Sequence, residues 1–115
     1  MKYHAHIYFD QSSRAAAVNV RSQLLESDIA AAEVFFLVDK PIGWHPQPMF
    51  EIHFEQTQYV ALIDWLQKHR QNLSVLVHPE AHDQVVWQSD KAIWLGAELV
   101  LNPPAPSDST RVNRD

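Results

Sequence analysis

Polar and apolar residues alternate in the stretch Tyr3-His4-Ala5-His6-Ile7-Tyr8-Phe9. Side chains on a β-strand point alternately to its two faces, so this stretch predicts a strand with one apolar and one polar face. The polar face carries His4, His6 and Tyr8. The stretch Met49-Phe50-Glu51-Ile52-His53-Phe54-Glu55 repeats the pattern and predicts a second strand of this kind. Both strands therefore place metal-ligand residue types where apolar side chains would be expected.

The remaining sequence predicts two amphipathic helices and two further strands. Apolar residues at helical spacing, such as Ala16, Val20 and Leu24 in the first helix, indicate helices that cover a sheet face. The expected elements are strands at 2–9, 32–39, 49–55 and 73–78 and helices at 14–26 and 58–69. Their order, β-α-β-β-α-β, is typical of the α+β ferredoxin-like sandwich, whose antiparallel sheet carries both helices on one face. The other face is left open for a site, a dimer contact or both.

Two connecting segments and one strand carry further expectations. The unbroken apolar run Val34-Phe35-Phe36-Leu37-Val38 predicts burial on both faces or at a subunit contact. Three prolines and Gly43 make 40–48 a stiff, irregular loop. The stretch 82–101 is too apolar for a free tail, so we expect it to fold over the site or onto a partner subunit.

Composition limits the classes of protein. The 115 residues have a formal charge of −5, 46% hydrophobic residues and no cysteine. We expect one domain over 1–102 and a mobile tail over 103–115, which lacks apolar periodicity. No Lys/Arg cluster favours nucleic acid or an anionic membrane, and the absence of cysteine excludes thiolate ligands and disulfides. With no apolar leader or run of about 18 apolar residues, we expect a soluble cytoplasmic protein.

A cluster of imidazoles and carboxylates should form on the open sheet face. In the ferredoxin-like order the first strand lies between the third and fourth, and the loop before the third strand reaches the face from the side. The residues expected there are His4, His6, His45, Glu51, His53 and His78. Three imidazoles, or two with Glu51, would hold Fe(II), Zn(II) or Mn(II) with positions left for substrate.

Other interpretations of the same residues remain open. The histidines could be hydrogen-bonded polar residues of a non-catalytic binding module that holds a metal, an aromatic ligand or only a second subunit. A different reaction on a metal ion is a third possibility. Tyr8, Trp44 and Trp94 could form the walls of a pocket for an aromatic ring, although such side chains often only contribute buried area. His69, which ends the second helix, is expected to act as a helix cap.

Four ordered stretches carry a resemblance to a known family. They are YHAHIYFD at 3–10, HPQPMFEIHF at 45–54, LSVLVHP at 73–79 and AIWLG at 92–96. In these stretches the chain resembles the DOPA 4,5-dioxygenase family of small extradiol-type enzymes from fungi and bacteria. Trp44 and Lys91 depart from that pattern, which usually has Pro and His there. The resemblance implies cleavage of a catechol ring by O2, a non-haem iron and a ferredoxin-like homodimer.

The resemblance gives roles to the matched residues. It makes the histidines at 4, 6, 45, 53 and 78 candidates for metal binding or acid/base catalysis, and Glu51 the candidate carboxylate. Our hypothesis is that Fe(II) is held by some, but not necessarily all, of four candidate ligands and that a catechol such as DOPA binds to this Fe(II). The four candidate ligands are His6, His53, His78 and Glu51. His4 or His45 would then transfer protons, and Tyr8, Trp44 and Trp94 would contact the substrate.

Overall fold

Five antiparallel strands and two helices make up the described part of the chain, residues 1–29, 33–80 and 91–102 of a computed structural model. The elements are β1 (Lys2–Tyr8), α1 (Arg14–Glu26), β2 (Glu33–Val34), β3 (Met49–Glu55), α2 (Tyr59–His69), β4 (Val75–Pro79) and β5 (Ile93–Leu95). They form one sheet in the order β2-β3-β1-β4-β5. The predicted α+β ferredoxin-like sandwich is confirmed, with a fifth strand added beside β4.

The central strand β1 sets the register of the site. His4 lies opposite His53 of β3 on one side and opposite His78 of β4 on the other. His6 lies opposite Glu51 of β3. A shift of one residue would exchange the faces of a whole strand, so the alternation of apolar and polar residues favours this register.

The hydrophobic core lies between the sheet and the helices. From α1, the residues Ala17, Val20 and Leu24 are buried, and from α2, Leu62 and Leu66. The predicted stripe of Ala16, Val20 and Leu24 packs against the core, and Ala17 is more deeply buried than Ala16. Positions 17, 20 and 24 follow the 3.6-residue period more closely than a fixed spacing of four.

Each helix begins with a short 3-10 turn. Asp10 caps the first turn, Gln11–Ser13, by accepting a hydrogen bond from the Ser13 backbone N–H at 3.0 Å. The second turn, Gln56–Gln58, starts after Glu55, whose backbone N–H donates to Gln58 Oε1 at 2.9 Å. Glu55 is therefore the N-cap of this turn.

The second strand is much shorter than the predicted strand at 32–39. Among the described residues of this segment, regular pairing covers Glu33–Val34, and a single bridge follows between Val38 and Met49. Between these two contacts lie three residues after β2, 35–37, but only two residues of β3, 50–51, so the regular ladder is interrupted. Phe36 is 79% exposed, and the Arg21 guanidinium lies 4.7 Å from its ring centroid. The expectation of burial on both faces is wrong for Phe36 within one chain, and a subunit contact stays a prediction.

We expect the segment 82–101 to fold over the site or onto a partner subunit, and its described part, 91–101, packs on the side of the site. β5 extends the sheet through antiparallel pairing with β4. After β5, Leu101 is buried, and the Asn102 backbone N–H donates to the Trp44 carbonyl oxygen at 2.8 Å. Residues 81–90 and the expected tail at 103–115 lie outside the described residues, as do 30–32. Among the described helices, neither has the length and apolar character needed to cross a membrane.

Candidate metal and active site

Two buried imidazoles face each other at the centre of the open sheet face. His6 and His78 are each 1% exposed, and their Nε2 atoms lie 2.9 Å apart. The Nδ1 of His78 lies 2.8 Å from the Pro79 carbonyl oxygen. A carbonyl oxygen only accepts, so Nδ1 carries the proton and donates it. In a neutral His78 ring, Nε2 therefore presents a lone pair toward His6.

This pair has the separation expected of two ligands of one cation. Metal–nitrogen distances of about 2.0–2.1 Å place two neighbouring imidazole nitrogens about 3 Å apart. His4 completes a group of three, because one ring nitrogen from each of His4, His6 and His78 lies within 4.8 Å of the others. An all-imidazole set suits Fe(II), Zn(II) and related ions. The residues present therefore fit a divalent transition metal.

A second group joins His4 to β3 and is nearer the solvent. His53 Nε2 lies 2.6 Å from Glu51 Oε2, and His4 Nδ1 lies 3.3 Å from the same oxygen. These three residues also lie close enough together to hold a cation. Two outer carboxylates approach this group, Glu80 at 3.5 Å from His4 Nε2 and Glu33 at 3.9 Å from His53 Nδ1.

The Pro-rich loop brings a further imidazole against the pair. His45 is buried, its ring centroid lies 4.4 Å from that of His6, and its Nδ1 lies 2.8 Å from the Tyr8 hydroxyl oxygen. A tight turn holds the loop there: Gly43 has φ +54° and the His45 backbone N–H donates to the Ile42 carbonyl oxygen at 2.9 Å. The left-handed φ explains the glycine, since other residues rarely adopt it.

Burial lowers the pKa of four imidazoles of the site and keeps them neutral at neutral pH: His4, His6, His45 and His78. It holds the pKa of His6 well below its usual range, and the neighbouring His45 and His78 lower that pKa further. Burial also lowers the pKa of His78 to about 4, and it lowers the pKa of His45. For His4, burial again lowers the pKa most and His53 adds to the effect. Neutral rings can bind a metal ion without first losing a proton.

An apolar cluster borders the imidazoles on the side of β5. Its buried members are Tyr8, Met49, Leu76 and Leu101, and Trp44, Ala92, Trp94 and Leu99 pack against them. Trp94 stacks on Tyr8 with ring centroids 5.8 Å apart. This cluster could receive the ring of an aromatic ligand beside the metal ligands.

The structure brings the predicted site residues together but groups them differently. His4, His6, Glu51, His53 and His78 share one sheet face, as the strand alternation predicts. The compact groups, however, join His6 and His78 to His4, and Glu51 and His53 to His4. Of the predicted substrate contacts, Trp44 and Trp94 lie at the margin of the apolar cluster.

Some residues near the site were not predicted from the sequence. Glu80 and Glu33 approach the outer imidazoles, and Met49, Leu76 and Leu101 form the apolar wall. For Glu80 a signal was available, since it directly follows the strand that ends His78-Pro79. Glu33 lies on a short edge strand whose register the sequence does not define.

Comparisons with known proteins point to one family. A family model described as the Dopa 4,5-dioxygenase family matches residues 3–104. A protein of Nostoc punctiforme PCC 73102, whose crystal structure is described as that of a "putative dioxygenase", superposes with a TM-score of 0.76 and 41% sequence identity. That similarity covers 88% of this chain and 86% of the Nostoc chain.

Two curated relatives are fungal and longer than this chain. The DOPA 4,5-dioxygenase of Amanita muscaria is 29% identical over 108 residues, which is 88% of this chain and 47% of the relative. An uncharacterized 21.2 kDa protein of Botryotinia fuckeliana is 32% identical over 110 residues, 87% of this chain and 60% of the relative. The chain thus spans about half to three fifths of the length of these relatives.

Proposed function

The chain belongs to the Dopa 4,5-dioxygenase family, and from this membership we propose that it is an extradiol dioxygenase that opens the ring of a catechol such as DOPA with O2. The observation that carries the proposal is the 2.9 Å approach of His6 Nε2 to His78 Nε2 at a buried place. Two buried imidazoles in this arrangement need either a shared proton or a shared cation. The resemblance to the family implies a non-haem iron, and this favours the cation.

We propose that His6, His78 and His4 hold a non-haem Fe(II). This set keeps two of the predicted ligands and adds His4, because a ring nitrogen of His4 lies within 4.8 Å of the other two. Glu51 and His53 then support His4: Glu51 Oε2, 3.3 Å from His4 Nδ1, accepts the proton of that ring and fixes its orientation. When bound, Fe(II) would supply the Lewis acidity that holds the catechol oxygens and the redox chemistry toward O2.

His45 is the proposed acid/base residue. Its ring lies against His6, and its lowered pKa leaves it neutral at neutral pH, so its one ring proton is available to an oxygen of the substrate. Trp44 and Trp94, at the margin of the apolar cluster, would pack on the catechol ring and exclude water from it. The proposed substrates are thus an apolar, planar diol and O2.

We also propose a homodimer. Phe35 and Phe36 follow the short edge strand β2 and are 39% and 79% exposed. Large apolar side chains at a sheet edge are common at subunit contacts. A single domain over 1–102 and a cytoplasmic location stay predictions, which limited proteolysis and cell fractionation would test.

The test of the activity is anaerobic reconstitution with Fe(II), followed by O2 and L-DOPA, caffeate or protocatechuate. We expect a yellow ring-opened product that requires both iron and O2. His6→Ala should abolish the product and lower the bound metal, whereas His69→Ala, a matched change outside the site, should do neither. Bound metal with no product from any catechol would contradict the proposal and favour a binding module or another metal-dependent reaction.

A further inference from the structure

A buried hydrogen bond joins a phenol to the proposed acid/base imidazole. The Tyr8 hydroxyl oxygen lies 2.8 Å from His45 Nδ1, and Tyr8 is 1% exposed and His45 6% exposed. Tyr8 extends from the same strand face as His4 and His6, while His45 comes from the Pro-rich loop. The bond therefore connects the rigid centre of the sheet to the loop that carries the imidazole.

The direction of this hydrogen bond follows from the donors available. Among the described residues, the Tyr8 hydroxyl has a single hydrogen-bond partner, His45 Nδ1. If Nδ1 donated, the phenol proton would be buried without an acceptor among those residues, which is unfavourable. If the phenol donates, its proton is satisfied. Burial also raises the pKa of Tyr8 far above its usual range, so the phenol keeps its proton to donate.

The hydrogen bond that Tyr8 donates to Nδ1 determines the tautomer of the His45 imidazole. When Nδ1 accepts a hydrogen bond, the single proton of a neutral ring must be on Nε2. The His45 ring lies beside His6, so the ring borders the site. In this tautomer His45 meets an incoming substrate as a proton donor rather than as a lone pair.

We propose that Tyr8 is a positioning residue that fixes His45 in its Nε2–H tautomer, and that it acts on the substrate only through His45. The inference rests on the function proposed for His45, and it gives Tyr8 a different role from the substrate contact expected from the sequence. With its hydroxyl directed at Nδ1 and its ring stacked on Trp94, Tyr8 supports both the imidazole and the apolar wall.

The first test reads the tautomer and needs neither metal nor activity. In the full-length, 15N-labelled chain, long-range proton–nitrogen correlation spectra at pH 7.5 should give a pyridine-type Nδ1 and a pyrrole-type Nε2 for His45. In Tyr8→Phe, which removes only the hydroxyl, both signals should move toward the average of the two tautomers. Tyr3→Phe is the matched control, since Tyr3 lies on the same strand and packs on the helix side, and it should leave His45 unchanged.

The second test separates positioning from substrate contact. Tyr8→Phe should lower kcat for a catechol by about tenfold, a part of the 10²–10⁴-fold typical of acid/base catalysis, and change KM by less than about twofold. In a His45→Ala background the same change should cause no further loss. A raised KM with unchanged kcat, or additive losses in the double variant, would overturn the proposal in favour of direct contact.

The two tests fail in distinguishable ways. An unchanged His45 tautomer in Tyr8→Phe, or a proton on Nδ1 in the parent, overturns the positioning role even if the parent is an active dioxygenase. A parent that binds metal but cleaves no catechol overturns the proposed function, while the tautomer measurement still decides what Tyr8 does to His45.

Discussion

His4 and His53 stack face to face across the β1 and β3 pair, with ring centroids 3.8 Å apart and an interplanar angle of 5°. Both rings approach one oxygen, Glu51 Oε2, at 3.3 Å and 2.6 Å. Burial lowers the pKa of His4 most, and the repulsion between two stacked imidazolium ions adds to this effect. The carboxylate therefore orients both rings, while burial and the stack together keep His4 neutral and able to bind a cation.

Glu51→Gln tests this orienting role. The amide has nearly the same shape but lacks the negative charge and can turn a donor toward His4, so the ring loses its fixed tautomer. We expect metal affinity to fall by about 10–100-fold, the usual loss when a partner of a ligating imidazole is removed. Competition with a zinc chelator measures the change. Glu98→Gln, an exposed carboxylate outside the site, is the control, and equal affinities for the two variants would contradict the role.

Stability of the metal-free protein should depend on pH through the buried imidazoles. The pKa of His78 is 6.5 in an unfolded chain and about 4 when folded. Between these two pH values the unfolded state therefore binds more protons than the folded state. The stability that His78 contributes is complete above pH 6.5 and is lost as the pH falls toward 4. From His78 alone we expect about 2 kcal/mol less stability at pH 5 than at pH 7.

Urea unfolding at pH 7, 6 and 5 measures this dependence. His78→Asn should flatten the dependence, because the titrating group is gone. His69→Asn removes a histidine at the end of α2, outside the cluster, and should keep the parent slope. A parent whose unfolding free energy is equal at pH 7 and pH 5 would refute the prediction.

The sequence predicted the site face because a strand has a period of two residues. Once Ala5 and Ile7 pack under the helices, His4 and His6 must point away from them, and pairing with β3 and β4 brings His53 and His78 to the same face. This part of the prediction required no knowledge of side-chain rotamers.

The grouping of ligands could not be predicted in the same way. Whether His4 belongs with His78 or with Glu51 depends on side-chain angles that strand alternation does not specify. The position of His45 depends on a loop with three prolines, which has no period to extrapolate. β5 has three residues, Ile93–Leu95, too few for an alternating pattern to identify.

Two glycines with left-handed backbones should differ in their tolerance of a side chain. A Cβ on Gly96, φ +77°, would come within 2.5 Å of Arg70 Nη1, whereas a Cβ on Gly43, φ +54°, would meet nothing within 4 Å. Arg70 Nη1 donates to the Leu73 carbonyl oxygen at 3.0 Å, so its displacement disturbs a second contact. We expect Gly43→Ala to cost about 1 kcal/mol for its backbone strain, and Gly96→Ala to cost about 2–3 kcal/mol. Thermal unfolding of both variants gives the comparison, and an equal loss would argue against the steric term.

The proposed dimer contact at the β2 edge predicts a selective effect of charge. Phe36→Asp would place a carboxylate in an apolar interface, where an unpaired charge costs several kcal/mol, and the dimer should dissociate. In the monomer the new carboxylate would lie near the Arg21 guanidinium, which now covers the Phe36 ring, so the fold should persist.

Val60→Asp is a matched control, because Val60 is equally exposed, at 79%, but lies on α2. Sedimentation velocity should give a dimer for the parent and for Val60→Asp and a monomer for Phe36→Asp. A monomeric parent would remove the subunit contact as the reason for two exposed phenylalanines at this edge, and dissociation by both variants would place the contact elsewhere.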